Sequence, residues 1–181
     1  MGLLITIGGL HGTGKSSIAE IIAKEFKLRR VSAGQVFRAL AVEHHMSLEE
    51  FSRFAEGNEK IDRELDDRLK AEALKGNAVI DGQLAAWMAE GHPDLSILLT
   101  ASLDVRIRRI ADRDGVDFEI AKHETVTREE SERTRYLKYY NIDIADLSLY
   151  DIILNTDKYD LQGVASVLVF AIRRLSTMKK R

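Results

Sequence analysis

Apolar residues in this chain follow two rhythms, short unbroken runs and helical stripes, which alternate almost from end to end. The short runs fall at residues 3–7, 78–81, 95–100 and 151–155, and Arg29-Arg30-Val31-Ser32 is a further short candidate strand. Segments of that length, rich in Ile, Val and Leu without helical spacing, read as buried strands. Between them lie stripes of helical period. One opens at Lys15 or Ser16, where Ile18, Ile21 and Ile22 recur at i, i+3 and i+4. Others cover about residues 35–45, 60–74, 103–113, 120–139 and 162–175. Ser47 and Glu50 have the spacing of a capping box, and Gly76-Asn77 breaks the helix before the third strand. Strands alternating with helices predict an α/β fold, a doubly wound parallel sheet with helices on both faces. Such a sheet binds its ligands at the carboxyl ends of its strands, so the strand ends hold the candidate residues.

The first strand end carries the strongest chemistry. Gly9 to Ser16 reads G-L-H-G-T-G-K-S and fits G-x-x-x-x-G-K-[ST] at every position, between a strand and an amphipathic helix. Glycines admit positive φ and let backbone N–H groups close around phosphate oxygens, and the helix N-terminus adds its free N–H groups and positive dipole end. The expected ATP-binding stretch is Gly8, Gly9, Leu10, His11, Gly12, Thr13, Gly14, Lys15, Ser16 and Ser17. Lys15 is expected to reach the β- and γ-phosphates and Ser16 to ligate Mg²⁺. His11 reads as a spacer, because backbone groups do the binding there. A dinucleotide fold is excluded: Ser17 stands where G-x-G-x-x-G/A needs glycine or alanine.

Length and composition narrow the partners. The 181 residues are expected to form one domain, residues 1–181, with no repeat or linker dividing them. A hydrophobic share of 45% and a charged share of 31% describe a soluble globular chain. Net charge −2 argues against a nucleic-acid partner. The absence of cysteine removes disulfides and thiolate chemistry and suits a cytoplasmic setting. No run approaches the roughly 18 apolar residues of a membrane span. The basic end at residues 179–181 reads as a solvated tail.

The remaining candidates are acids and arginines. Asp81 closes the third run, where it is placed either to hold Mg²⁺ or to bind an acceptor, or simply to cap the helix behind it. Arg106, Arg109 and Arg113 lie near one helix face, as do Arg128 and Arg135 with Glu132 between them. Positioned arginines stabilise the charge that develops in phosphoryl transfer. The competing reading is a solvated helix face laced by i, i+4 ion pairs. Arg38 is placed to clamp an acceptor phosphate. His44 and His45 read as solvent-exposed, and Trp87, Tyr136, Tyr139 and Tyr140 as packing residues.

Taken together, Gly9 to Ser16, Ser32-Ala33-Gly34 with Phe37-Arg38, Ile61-Asp62-Arg63, Asp81-Gly82 and Arg128-x-x-x-Glu132-x-x-Arg135 resemble the archaeal type of cytidylate kinase, over nearly the whole chain. The resemblance implies a P-loop NTPase fold with strand order 2-3-1-4-5, a helical segment for the monophosphate at about 33–75 and a lid at about 109–124. It implies Mg²⁺-dependent transfer from ATP to CMP or dCMP by a monomer. Ser32, Gly34, Arg38, Asp62, Asp81, Gly82, Arg128, Glu132 and Arg135 would handle the monophosphate. Lys15, Arg109, Arg113 and Arg128 would be the catalytic cations, and Ser16 and Asp81 the metal ligands. Gln83 departs from the arginine usual after Asp-Gly, and Glu132 stands where bacterial relatives carry aspartate. The alternatives are another small P-loop kinase, for adenylate, dephospho-coenzyme A or a metabolite hydroxyl, and a nucleotide-dependent switch. The switch lacks support, because no Asn-Lys-x-Asp motif follows a strand.

Overall fold

A computed structural model of the chain describes residues 2–89 and 93–178; the basic tail lies outside the described residues. The five candidate strands become β1 (Leu4–Gly8), β2 (Arg29–Ser32), β3 (Ala78–Asp81), β4 (Leu95–Thr100) and β5 (Ile152–Asn155). They form one sheet in the order β2-β3-β1-β4-β5, with every neighbouring pair parallel. The central strands are buried nearly throughout, as sheets covered on both faces require, while edge strand β5 alternates between half-buried and exposed. The register brings Ile7 opposite Asp81 and Asp81 opposite Ser32. The loop after β1 and the ends of β2 and β3 therefore meet at one edge.

Helices α1 (Lys15–Phe26), α2 (Ala33–Glu43), α3 (Leu48–Glu56), α4 (Glu59–Leu74), α5 (Ala85–Met88), α6 (Leu103–Asp114), α7 (Phe118–Tyr140) and α8 (Leu161–Met178) complete the fold. One face of the sheet buries Ile5, Ile7, Ile97 and Leu99 against Ile18 and Ile22 of α1 and Leu168 and Ile172 of α8. The other face buries Val31 and Ile80 against Leu69 of α4 and Met88 of α5. Two smaller cores sit apart from the sheet. Leu40, Phe51 and Ile61 join α2, α3 and α4, and Ile107, Ile110 and Ala121 join α6 to α7.

Helix starts follow their caps. Both bonds of the capping box form: Glu50 N–H donates to Ser47 Oγ at 3.2 Å and Ser47 N–H to Glu50 Oε2 at 2.9 Å. α2 begins at Ala33, two residues before the apolar stripe indicated, because extended Ser32 feeds straight into it. α7 begins at Phe118, where the Asp117 side chain accepts the Glu119 N–H at 2.8 Å.

The inner face of α4 carries an acid at a cost to stability. Asp66 is buried, and desolvation pushes its pKa up to about 6. The folded state thus holds a proton more tightly than the unfolded state, so this group's contribution falls as pH rises from about 4 to 6. Asp66→Asn is expected to raise Tm at pH 8 by several degrees and to change it little at pH 4. Equal shifts at the two pH values in a thermal melt would remove this account.

Candidate active site

Three elements converge at the carboxyl edge of the sheet: the loop after β1, the strand end at Asp81, and one face of α7. The loop owes its shape to glycine. Gly14 sits left-handed at φ 93° as the N-cap of α1, so the helix opens at Lys15 with its N–H groups facing the loop. Gly12 has φ 78°, and a Cβ there would lie 2.5 Å from the carbonyl oxygen of Arg106, so the loop rests directly on α6. Thr13 Oγ1 and Lys15 Nζ both donate to the Leu10 carbonyl, at 2.8 and 2.7 Å. Lys15 keeps some exposure, yet desolvation lowers its pKa to about 8 while Asp81, Glu132 and Glu129 pull it back up. A cation held this way binds strongly to an anion that enters its own desolvated space.

Asp81, 2% exposed, closes the second side. Its Oδ2 accepts from Ser16 Oγ at 2.9 Å and Ser32 Oγ at 3.2 Å, and Oδ1 accepts from Arg30 Nε at 3.1 Å. A hydroxyl and a carboxylate in contact are hard oxygen donors, which suit Mg²⁺. No cluster of three or more His, Cys, Asp or Glu forms a dedicated metal cage among the described residues. Two protein oxygens fit an ion that takes the rest of its shell from water and phosphate.

The third side is α7. Glu132 is 6% exposed and accepts from His11 Nε2 at 2.8 Å, Arg128 Nε at 2.9 Å and Gln83 Nε2. Burial opposes ionisation of Glu132, but the His11 hydrogen bond and the charge of Arg128 hold its pKa down to about 2. One turn back, Glu129 accepts from the His11 N–H at 3.1 Å and from Arg106 Nη1 at 2.6 Å. The same Arg106 nitrogen donates to the His11 carbonyl at 2.9 Å. One turn on, Arg135 Nη1 spans both oxygens of Asp62 at 2.7 and 2.8 Å, tying α7 to α4. Burial raises the Asp62 pKa although Arg135 opposes it.

The other expected residues spread around this centre. Arg109 donates to the hydroxyl and the carbonyl of Thr156, both at 2.9 Å, beside the loop after β5. Arg113 forms an exposed pair with Asp114, and Arg38 lies exposed over Gly34 without an ion-pair partner among the described residues. Gly82 donates its N–H to the Ile7 carbonyl at 3.2 Å, which fixes the chain just past Asp81. Ser17 lies exposed on the first turn of α1.

Residues 4–158 match the model of the cytidylate kinase-like family. The chain belongs to that family. A protein named cytidylate kinase from Methanocaldococcus jannaschii is 46% identical over 176 residues, covering 96% of this chain and 99% of that one. One of the same name from Staphylothermus marinus is 43% identical, covering 92% of this chain and 94% of that one. The shikimate kinase from Bacteroides thetaiotaomicron matches in fold, with TM-score 0.60 at 17% identity and 99% coverage of both chains.

In this member of the cytidylate kinase-like family, the part of the site that sequence reasoning missed is the junction between loop and α7. His11 reads as a spacer in the sequence, whereas its ring reaches Glu132, 121 residues away. Arg106 reads as one of a helix-face set, and it is 5% exposed. The one available signal was its place three residues before Arg109, in a stripe that also holds buried Ile107 and Ile110.

Proposed function

We propose that the chain transfers the γ-phosphoryl group of ATP to CMP and dCMP, with Mg²⁺, giving ADP and the diphosphate. The observation that carries this reading is the direct contact between the phosphate loop and the acceptor motif, His11 to Glu132 at 2.8 Å. A triphosphate seated in the loop would end beside Arg128, Glu132 and Arg135. The family's name and the 46% identical relative called cytidylate kinase support the choice of base.

In this reading a phosphate oxygen of the monophosphate attacks the γ-phosphorus while the bond to the bridging oxygen breaks and ADP leaves. The acceptor oxygen is already ionised, so the protein needs neither nucleophile nor base; it aligns the groups and stabilises charge. Lys15 neutralises the β- and γ-oxygens, and Arg128 faces the group in transfer. Mg²⁺ bound through Ser16 and Asp81 would further neutralise the phosphate oxygens. Uncommitted Arg38 at the start of the α2–α4 excursion is available to the acceptor phosphate, with Ser32 and Gly34 beside it. We assign that excursion, about 33–75, to the monophosphate, and the α6–α7 turn, about 109–124, to a lid carrying Arg109 and Arg113. Closure of the lid would exclude water that competes as acceptor. No helix among the described residues is long and apolar enough to cross a membrane, in keeping with action in the cytoplasm on small nucleotides.

The test is ADP release from Mg·ATP with CMP, dCMP, UMP, AMP, GMP or shikimate as acceptor. Strong stimulation by CMP and dCMP alone is the expected result. Stimulation by AMP or shikimate instead would discard the pyrimidine acceptor, and none by any of them would discard the kinase.

A further inference from the structure

We infer that His11 is a positioning residue: with Gln83 it fixes the Glu132 carboxylate, and Glu132 in turn aims Arg128 at the phosphoryl group in transfer. The inference rests on the proposed placing of Arg128 at that group.

The geometry runs in one direction, from loop to arginine. His11 is clamped through its backbone on both sides, its N–H by Glu129 at 3.1 Å and its carbonyl by Arg106 at 2.9 Å. The clamp sets where the ring points. The ring's Nε2 lies 2.8 Å from Glu132 Oε2, and the Gln83 amide nitrogen donates to that same oxygen. Both donors therefore load one oxygen and leave Oε1 for Arg128 Nε at 2.9 Å. Arg128 spends a single N–H on this bond, and its remaining N–H groups stay in a planar fork that suits an oxyanion. The Arg128 side chain is 57% exposed. A long, exposed side chain would otherwise spread over many rotamers, and the bond to a buried, immobile carboxylate confines it. Glu132 needs these partners because a buried carboxylate is costly without them. A purely structural role would end there. A positioning role predicts that loss of the ring donor reaches the chemistry through Arg128.

Steady-state kinetics with ATP and CMP on His11→Ala, His11→Gln, Arg128→Ala and His11→Ala/Arg128→Ala separate the two roles. His11→Ala is expected to lower kcat about 30-fold with little change in the KM for ATP, the scale expected when a catalytic group loses its alignment. His11→Gln places an amide donor at similar reach and should recover to within about threefold of the wild type. In the Arg128→Ala background, His11→Ala should add less than about twofold, because the path it acts through is gone. His11→Leu fills the space without a donor, and with thermal melts on each variant it separates a lost donor from a lost fold. Unchanged kcat in His11→Ala, no recovery in a folded His11→Gln, or the same loss in both backgrounds would overturn the inference. Full turnover in Arg128→Ala would instead overturn the placing of Arg128.

Discussion

Lys15→Ala is expected to lower kcat by about 10³-fold or more while the protein stays folded. The magnitude follows from the role proposed for the ammonium: a desolvated cation at the phosphates would supply about 4 kcal/mol or more of transition-state stabilisation, and each 1.4 kcal/mol is tenfold. The expectation for the fold follows from the pKa. Burial lowers Lys15 to about 8 from the usual 10.5, so between those values the folded protein binds fewer protons than the unfolded one. The group's contribution to stability therefore rises with pH across that window and is unfavourable below it. At pH 7 its removal should leave Tm unchanged or slightly higher. Turnover within tenfold of wild type in a folded Lys15→Ala would defeat the phosphate-loop assignment. A large drop in Tm would show that the Leu10 carbonyl depends on this ammonium more than its 2.7 Å hydrogen bond suggests.

Arg135→Ala is expected to act mainly on stability. The Asp62–Arg135 pair is 7% and 14% exposed at its side chains and is among the bonds between the α2–α4 excursion and α7. Removing the arginine leaves a buried carboxylate uncompensated, at a cost of about 3 kcal/mol or more. Replacing both partners should cost less than replacing Arg135 alone, because no stranded charge remains. Urea unfolding of Arg135→Ala, Asp62→Asn and the double variant gives the comparison. A loss under about 1 kcal/mol for Arg135→Ala would show that water reaches Asp62 readily.

The strands and the loop were legible because their signals are local. Four apolar runs and one eight-residue motif carry their own spacing, and the sheet order agrees with the family resemblance. The capping box at Ser47 was legible for the same reason, two bonds within three residues. The start of α2 was not, since nothing near Ser32 marks a helix two residues before its apolar stripe. The junction at His11 was invisible for a different reason. Its partner Glu132 is supplied 121 positions along the chain, and only the folded sheet brings the two together. Arginines mislead in both directions. Arg106 and Arg113 share a helix and a chemistry, yet one is buried against the phosphate loop and the other pairs with its neighbour in solvent.

The sheet order also distributes rigidity across the proposed substrate cleft. β1 is hydrogen-bonded on both sides, to β3 and to β4, whereas β2 and β5 are edges. Opening β1 therefore requires two ladders to separate, so the strand beneath the proposed triphosphate site is expected to exchange its amide protons among the slowest in the protein. The proposed acceptor segment hangs on the satellite core of Leu40, Phe51 and Ile61, which meets the core against the sheet through Val36 and Leu65. One half of the cleft is an anvil and the other a jaw, and the chain changes from one to the other at Ser32.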